Sequence, residues 1–113
     1  MKEGKVWGST LRFSQTATTS SHHISIKKGG YCSKHKHEHK HNLFYVVDGE
    51  LEITIWRDDL KDITVLKPGQ ITGVSPGFYH QFKALKDTEA IEVYQVILTD
   101  PDIQRENVGG MDV

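Results

Sequence analysis

The 113 residues carry 14 basic and 15 acidic side chains, a formal charge of −1, and that length fits one domain spanning 1–113. The near-neutral balance excludes a broad electrostatic footprint for nucleic acid or anionic lipid, and no apolar run approaches the roughly 20 residues of a membrane span. A single cysteine, Cys32, excludes an internal disulfide framework and suits a reducing, cytoplasmic setting.

Met1-Lys2-Glu3-Gly4 has no hydrophobic signal region behind it. The apolar share of 36% is low, so the core is expected to be modest and supported by tight closure, a metal or a partner subunit. Helical periodicity is almost absent. Strand signals recur instead, at about 5–7, 10–16, 22–28, 31–41, 43–47, 50–57, 62–66, 70–74, 78–85 and 90–99. Leu51, Ile53 and Ile55 alternate with Glu52, Thr54 and Trp56, which places the aliphatic set inward. Asp48-Gly49 reads as a two-residue hairpin turn with positive φ at both positions. Arg57 to Asp62 is a polar connection between strands, and Lys67-Pro68-Gly69-Gln70 and Ser75-Pro76-Gly77 are further turns. About ten short antiparallel strands imply a sandwich or barrel, because one sheet that wide leaves long open edges. Residues 100–113 hold few apolar anchors and read as a loosely attached tail.

Histidine is the anomaly, with seven in all and four of them between 35 and 41. On a strand, His35, His37, His39 and His41 share one face, while Lys34, Lys36, Glu38 and Lys40 share the other. The charged set wants water, which turns the imidazoles inward, where their nitrogens must be satisfied. Two imidazoles at i and i+2 can converge on one ion, but four span about 20 Å and cannot all reach it. A solvated basic strand that merely carries histidines is the competing reading. A metal needs a further ligand from elsewhere, and His80, after Ser75-Pro76-Gly77-Phe78-Tyr79, is the candidate. His22 and His23 lie on a strand with no visible partner and read as surface residues. Cys32 has parity opposite to His35 and reads as an inert or outward thiol. Trp7 and Trp56 read as sheet-face or interface anchors. Tyr45, Phe78, Tyr79, Phe82 and Tyr94 are candidate cavity-lining aromatics.

These segments resemble the cupin superfamily. Its first motif is Gly, five residues, His-x-His, three or four residues, Glu, six residues, Gly. Gly29, His35-Lys36-His37, Asn42 and Gly49 follow that spacing, with Asn42 in place of Glu. Its second motif is Gly, five residues, Pro-x-Gly, two residues, His, three residues, Asn. Gly69, Gly77 and His80 match, Ser75 stands where proline is usual, and Ala84 replaces the final Asn. The two motifs span a core from 29 to 84, half the chain.

The resemblance implies an all-β fold, a cupin-type double-stranded β-helix or jelly-roll barrel, with a metal held by His35, His37 and His80 and Asn42 at the fourth position. A three-imidazole set with a neutral amide suits Fe, Zn, Ni or Cu better than Mn or Mg. His39 and His41 offer the same His-x-His spacing and stay open as ligands. His39, Tyr45 and Tyr79 are the candidate catalytic side chains. The implied functions are a small-molecule enzyme of the non-haem oxygenase type, a non-enzymatic binding or sensing module, or a metal-independent sugar isomerase or epimerase. A small-molecule ligand and a homodimer are the expected partners, with no nucleic acid and no membrane.

Overall fold

The computed structural model describes residues 2–96 and Met111; the expected tail over 100–113 otherwise lies outside them. Every regular element among the described residues is a strand: β1 (Lys2–Lys5), β2 (Gly8–Gln15), β3 (Thr19–Ile26), β4 (His41–Asp48), β5 (Leu51–Arg57), β6 (Leu60–Leu66), β7 (Ile71–Val74), β8 (Tyr79–Ala84) and β9 (Thr88–Gln95). They form two antiparallel sheets, one ordered β1-β2-β3-β9-β4-β7 and one ordered β6-β5-β8. This is the jelly-roll arrangement, two sheets with a common core rather than a fully closed barrel.

Alternation selects the inner faces. Ile24 and Ile26 on β3, Phe44 and Val46 on β4, and Ala90 on β9 meet Leu51, Ile53 and Ile55 on β5 and Phe82 and Ala84 on β8 in one buried cluster. The Phe44 and Phe82 rings meet edge to face across the sheets, with centroids 6.1 Å apart. Each of the large side chains contributes about 1.5–3 kcal/mol by leaving water. The polar positions on the same inward parity are the informative ones: Asn42 on β4, His80 on β8, and Thr88 and Glu92 on β9 are also buried.

Two expectations need correction. Asp48-Gly49 is not a hairpin turn, because β4 belongs to the larger sheet and β5 to the smaller. It is the corner where the chain changes sheets, and of the two residues only Gly49 has positive φ (94°). Thr88 clamps this corner, its Oγ1 accepting from Glu50 N at 3.2 Å and donating to Lys86 O at 2.8 Å. A Cβ on Gly49 would run into Asp87 O and Thr88 Oγ1. The next connection along the chain is a two-residue hairpin, β5-β6, which pairs Arg57 with Leu60 around Asp58, the one non-glycine residue described with positive φ (56°).

The second correction concerns 31–41, which is no regular strand. It runs beside β8 and touches it through two isolated bridges, Tyr31 with Lys83 and His35 with His80. Four residue steps from 31 to 35 face three steps from 80 to 83, so the histidine segment carries one extra residue and bulges. The bulge resets the parity. Cys32 turns inward into the core, accepts Phe82 N–H at its Sγ (3.2 Å), and still leaves His35 facing the same interior. Trp7, read as a sheet-face or interface anchor, packs edge-on against Phe82 with ring centroids 5.1 Å apart and is partly buried against the core.

The corner is a test of this architecture. Gly49→Ala is expected to cost about 2–3 kcal/mol in urea unfolding, from positive φ plus collision. Gly69→Ala, at φ 86° with nothing within 4 Å of the added methyl, should cost only about 1 kcal/mol. Equal losses would show that crowding by Thr88 is not what reserves the corner for glycine.

Candidate metal centre

The bridge between His35 and His80 is reciprocal, with His35 N–H donating to His80 O at 3.1 Å and His80 N–H donating to His35 O at 2.8 Å. It sets the two imidazoles side by side, with centroids 4.5 Å apart. His37 is held by a different contact, in which Gly77 N–H donates to His37 O at 2.8 Å. Its ring lies 5.1 Å from that of His35 and 5.5 Å from that of His80. One nitrogen from each of the three lies within 4.8 Å of the others. Donors ~2.1 Å from a shared ion stand roughly 3.0–3.4 Å apart, so small side-chain rotations bring all three onto one ion.

The hydrogen bonds fix which nitrogens are offered. His35 Nδ1–H donates to Ser33 O at 2.7 Å, and His80 Nδ1–H donates to Phe78 O at 3.1 Å. Both rings therefore present an unprotonated Nε2, the arrangement that backbone carbonyls impose on metal-binding histidines. His80 Nε2 faces Asn42 Oδ1 at 3.1 Å, so a neutral ring has two acceptor oxygens and one N–H to give. Burial, reinforced by His35 and His37, pushes the His80 pKa down to about 4 against the Phe78 hydrogen bond, which leaves it no second proton. His37 Nε2 is buried with no hydrogen-bond partner among the described residues, and burial, then His35 and Lys40, lower its pKa too. Lone pairs on His80 Nε2 and Asn42 Oδ1 thus face each other with no proton between them, beside the unpartnered His37 Nε2. A divalent cation satisfies all of them, and a donor set of imidazoles with one amide oxygen suits such an ion.

Asn42 is 1% exposed and His80 2%. The amide of Asn42 is oriented from behind, since Nδ2 donates to Val93 O at 3.3 Å and reaches Glu92 Oε2 at 3.5 Å. Tyr94 O–H donates to the same Glu92 oxygen at 3.1 Å, and the Tyr94 ring meets that of His37 edge to face at 5.1 Å. Burial raises the Glu92 pKa, opposed by the hydrogen bonds from Tyr94 and Asn42 and by the pull of Lys5. Burial and the Glu92 carboxylate raise that of Tyr94. Burial likewise pushes the Cys32 thiol up to about 11, so it stays protonated and unreactive at neutral pH.

A cavity of about 420 Å³ has one of the three histidines, His35, in its wall, together with Trp7, Phe82, Cys32, Glu92, Tyr94 and His22. His22 was expected at the surface. It shares the inward parity of Ile24 and Ile26, its ring 5.6 Å from that of Tyr94, whereas His23 faces outward and pairs with Glu89 at 2.7 Å.

Of the residues singled out from the sequence, His35, His37, His80 and Asn42 are brought together. His39 is exposed. His41 shares the outward parity of Leu43 and Tyr45, with Nε2 beside Gly73. Tyr45 is 42% and Tyr79 44% exposed, Tyr79 lying outside the sheet beneath the Lys36 ammonium at 5.0 Å. Lys34 sits over Trp56 at 4.1 Å, so these lysines do point away from the cavity. Glu92 was not singled out, although the alternation Thr88, Ala90, Glu92 on β9 put a carboxylate on an inward position.

A family model described as a cupin domain matches residues 22–97. No functionally curated protein is detectably similar in sequence. Among solved structures, KdgF from Halomonas sp. is 19% identical with a TM-score of 0.74, over 87% of this chain and 89% of that one. An RmlC-like cupin from Shewanella frigidimarina is 22% identical with a TM-score of 0.73, over 86% of this chain and 84% of that one. An oxalate decarboxylase variant of Bacillus subtilis is 16% identical with a TM-score of 0.76, over 85% of this chain but only 27% of the decarboxylase. At these identities the likeness is one of fold.

The depressed His80 pKa makes a stability prediction for the metal-free chain. The unfolded state takes up a proton near pH 6.5 that the folded state resists until about 4, so stability is fully present above 6.5 and falls as pH drops between the two. Urea unfolding across that window should show a loss on the order of 2 kcal/mol that His80→Gln flattens. An equal slope in the variant would place the proton uptake elsewhere.

Proposed function

The chain belongs to the cupin family, whose domain model spans most of its length, and from that premise we propose that it is a metal-dependent cupin acting on a small molecule in its cavity. The observation that carries this is the convergence of His35, His37 and His80 from two separated segments, with His35 also in the wall of a cavity of about 420 Å³, a size in the range of small-ligand sites. Iron, zinc, nickel and copper are the ions that three imidazoles and an amide favour. An ion held there would supply a Lewis acid with open coordination positions, the requirement of a non-haem oxygenase.

The side chains around it have separable tasks. Ser33 O and Phe78 O hold the His35 and His80 tautomers. Trp7 and Phe82 wall the cavity with apolar surface that limits water, and Glu92 and Tyr94 add an acceptor and a donor to its lining. The inert Cys32 is a wall rather than a nucleophile. The exposed apolar residues Tyr45, Val47 and Ile71 on adjacent β4 and β7 support pairing with a second copy, and a single buried cysteine is compatible with a cytoplasmic location. The neutral Asn42 favours one second reading, a binding or sensing cupin that holds metal without turnover.

Elemental analysis of protein purified without a nickel column should find one transition metal per chain. His35→Ala, His37→Ala and His80→Ala should each reduce it severalfold or more, and His39→Ala should not. Oxygen uptake by the iron-loaded protein with a panel of thiols, diketones and phenols then separates oxygenase from binding module. Metal retained in His80→Ala but lost in His39→Ala would refute the ligand assignment.

A further inference from the structure

Asn42 occupies the position where the first motif of the family has glutamate, so this ligand set carries no negative charge of its own. The nearest carboxylate to that amide is on another strand. β4 and β9 pair Asn42 with Tyr94 and Phe44 with Glu92, which makes Asn42 and Glu92 diagonal neighbours on the inner face. Glu92 is 8% exposed. The Asn42 amide is committed on its nitrogen side to Val93 O and Glu92 Oε2, and its oxygen is thereby turned toward His80 Nε2 at 3.1 Å. Tyr94 O–H fixes the same carboxylate oxygen from the other side at 3.1 Å. An amide has two orientations, and an acceptor on one side selects the one that points its oxygen the other way.

We infer that Glu92 is a positioning residue for the metal centre, turning Asn42 Oδ1 toward the ion and supplying, one side chain behind it, the negative charge the ligands lack. A carboxylate buried in this way is costly without compensation, and a dication beyond the amide compensates it. The inference rests on the three-histidine centre holding an ion. In this chain the charge sits on β9 beside the amide, rather than at the ligand position on β4.

The test uses the full chain and zinc ion. Glu92→Gln keeps the shape and an acceptor while removing the charge; chelator competition should show roughly 10- to 100-fold weaker zinc binding. Thermal melting of the metal-free variant should stay close to that of the parent, and the visible spectrum of the cobalt-substituted form should change as the amide reorients. Tyr94→Phe, which removes only the hydrogen bond to the carboxylate, should weaken zinc roughly two- to tenfold. The double variant Asn42→Asp with Glu92→Gln returns a carboxylate to the ligand position and should restore parental affinity or exceed it. Glu92→Gln or Tyr94→Phe binding zinc as tightly as the parent, with an unchanged cobalt spectrum, would overturn the role of Glu92 alone. Failure of the parent to bind zinc, or binding that survives His80→Ala, would overturn the metal centre and this inference with it.

Discussion

The site depends on a single backbone contact, the reciprocal pair of hydrogen bonds between His35 and His80. The segment carrying His35 and His37 has no continuous ladder to hold it. Apart from the bridge at Tyr31 with Lys83 and the bonds around Gly30 and Cys32, this pair is what sets its register on β8. Without the pair, the backbone contact left at these two residues is the one from Gly77 N–H to the His37 carbonyl. With it, ring positions follow from sheet geometry rather than from side-chain attraction. Rigid placement by backbone suits a metal site, since ligands held loosely must be ordered at the moment of binding.

Strand content, the inward alternation of Leu51, Ile53 and Ile55, and the pairing of a His-x-His segment with His80 were all legible in the sequence, because they rest on period-two patterns and on spacing between glycines. The histidine segment was misjudged as a strand for an instructive reason. Its alternation of imidazoles and lysines is that of a strand, yet only His35 forms a bridge there and His39 is exposed. One inserted residue between 31 and 35 breaks the ladder and inverts the side of Cys32, and nothing in local composition marks a bulge. The Asp48-Gly49 corner failed differently: its residues state that the chain turns, not whether the following strand pairs with the preceding one or crosses to the other sheet. His22 and Glu92 were within reach of parity arguments, but a polar residue on an inward position has no visible partner until the strands are assembled.

That assembly also shows why so many polar groups are tolerated inside a modest core. Asn42, His80 and Glu92 are each buried, and each leans on another: Tyr94 on Glu92, Glu92 on Asn42, Asn42 on His80, and Phe78 O on the far side of the ring. A chain of this kind is economical because each bond from Tyr94 to Asn42 orients the next group as well as satisfying the last. It runs from a carboxylate on β9 to an imidazole on β8, crossing from the larger sheet to the smaller. The polar chain therefore ties together the two layers that the apolar cluster packs, and its direction ends at the histidines.

The chain does not close on itself. At its end, His37 Nε2 has no partner among the described residues and His80 Nε2 opposes an amide oxygen, so the metal-free fold carries two unmet demands in its interior, each worth on the order of 1–3 kcal/mol. Burial works against the charged imidazole at both rings, so protonation is a costly way to meet them. Whatever relieves them must bring positive charge and accept lone pairs from several directions at once. A bound dication does both, and by doing so it adds its binding free energy to folding. With an ion bound, occupancy of the centre and stability of the fold would be one quantity seen from two sides: the buried polar residues that cost the fold stability would be those that hold the cation.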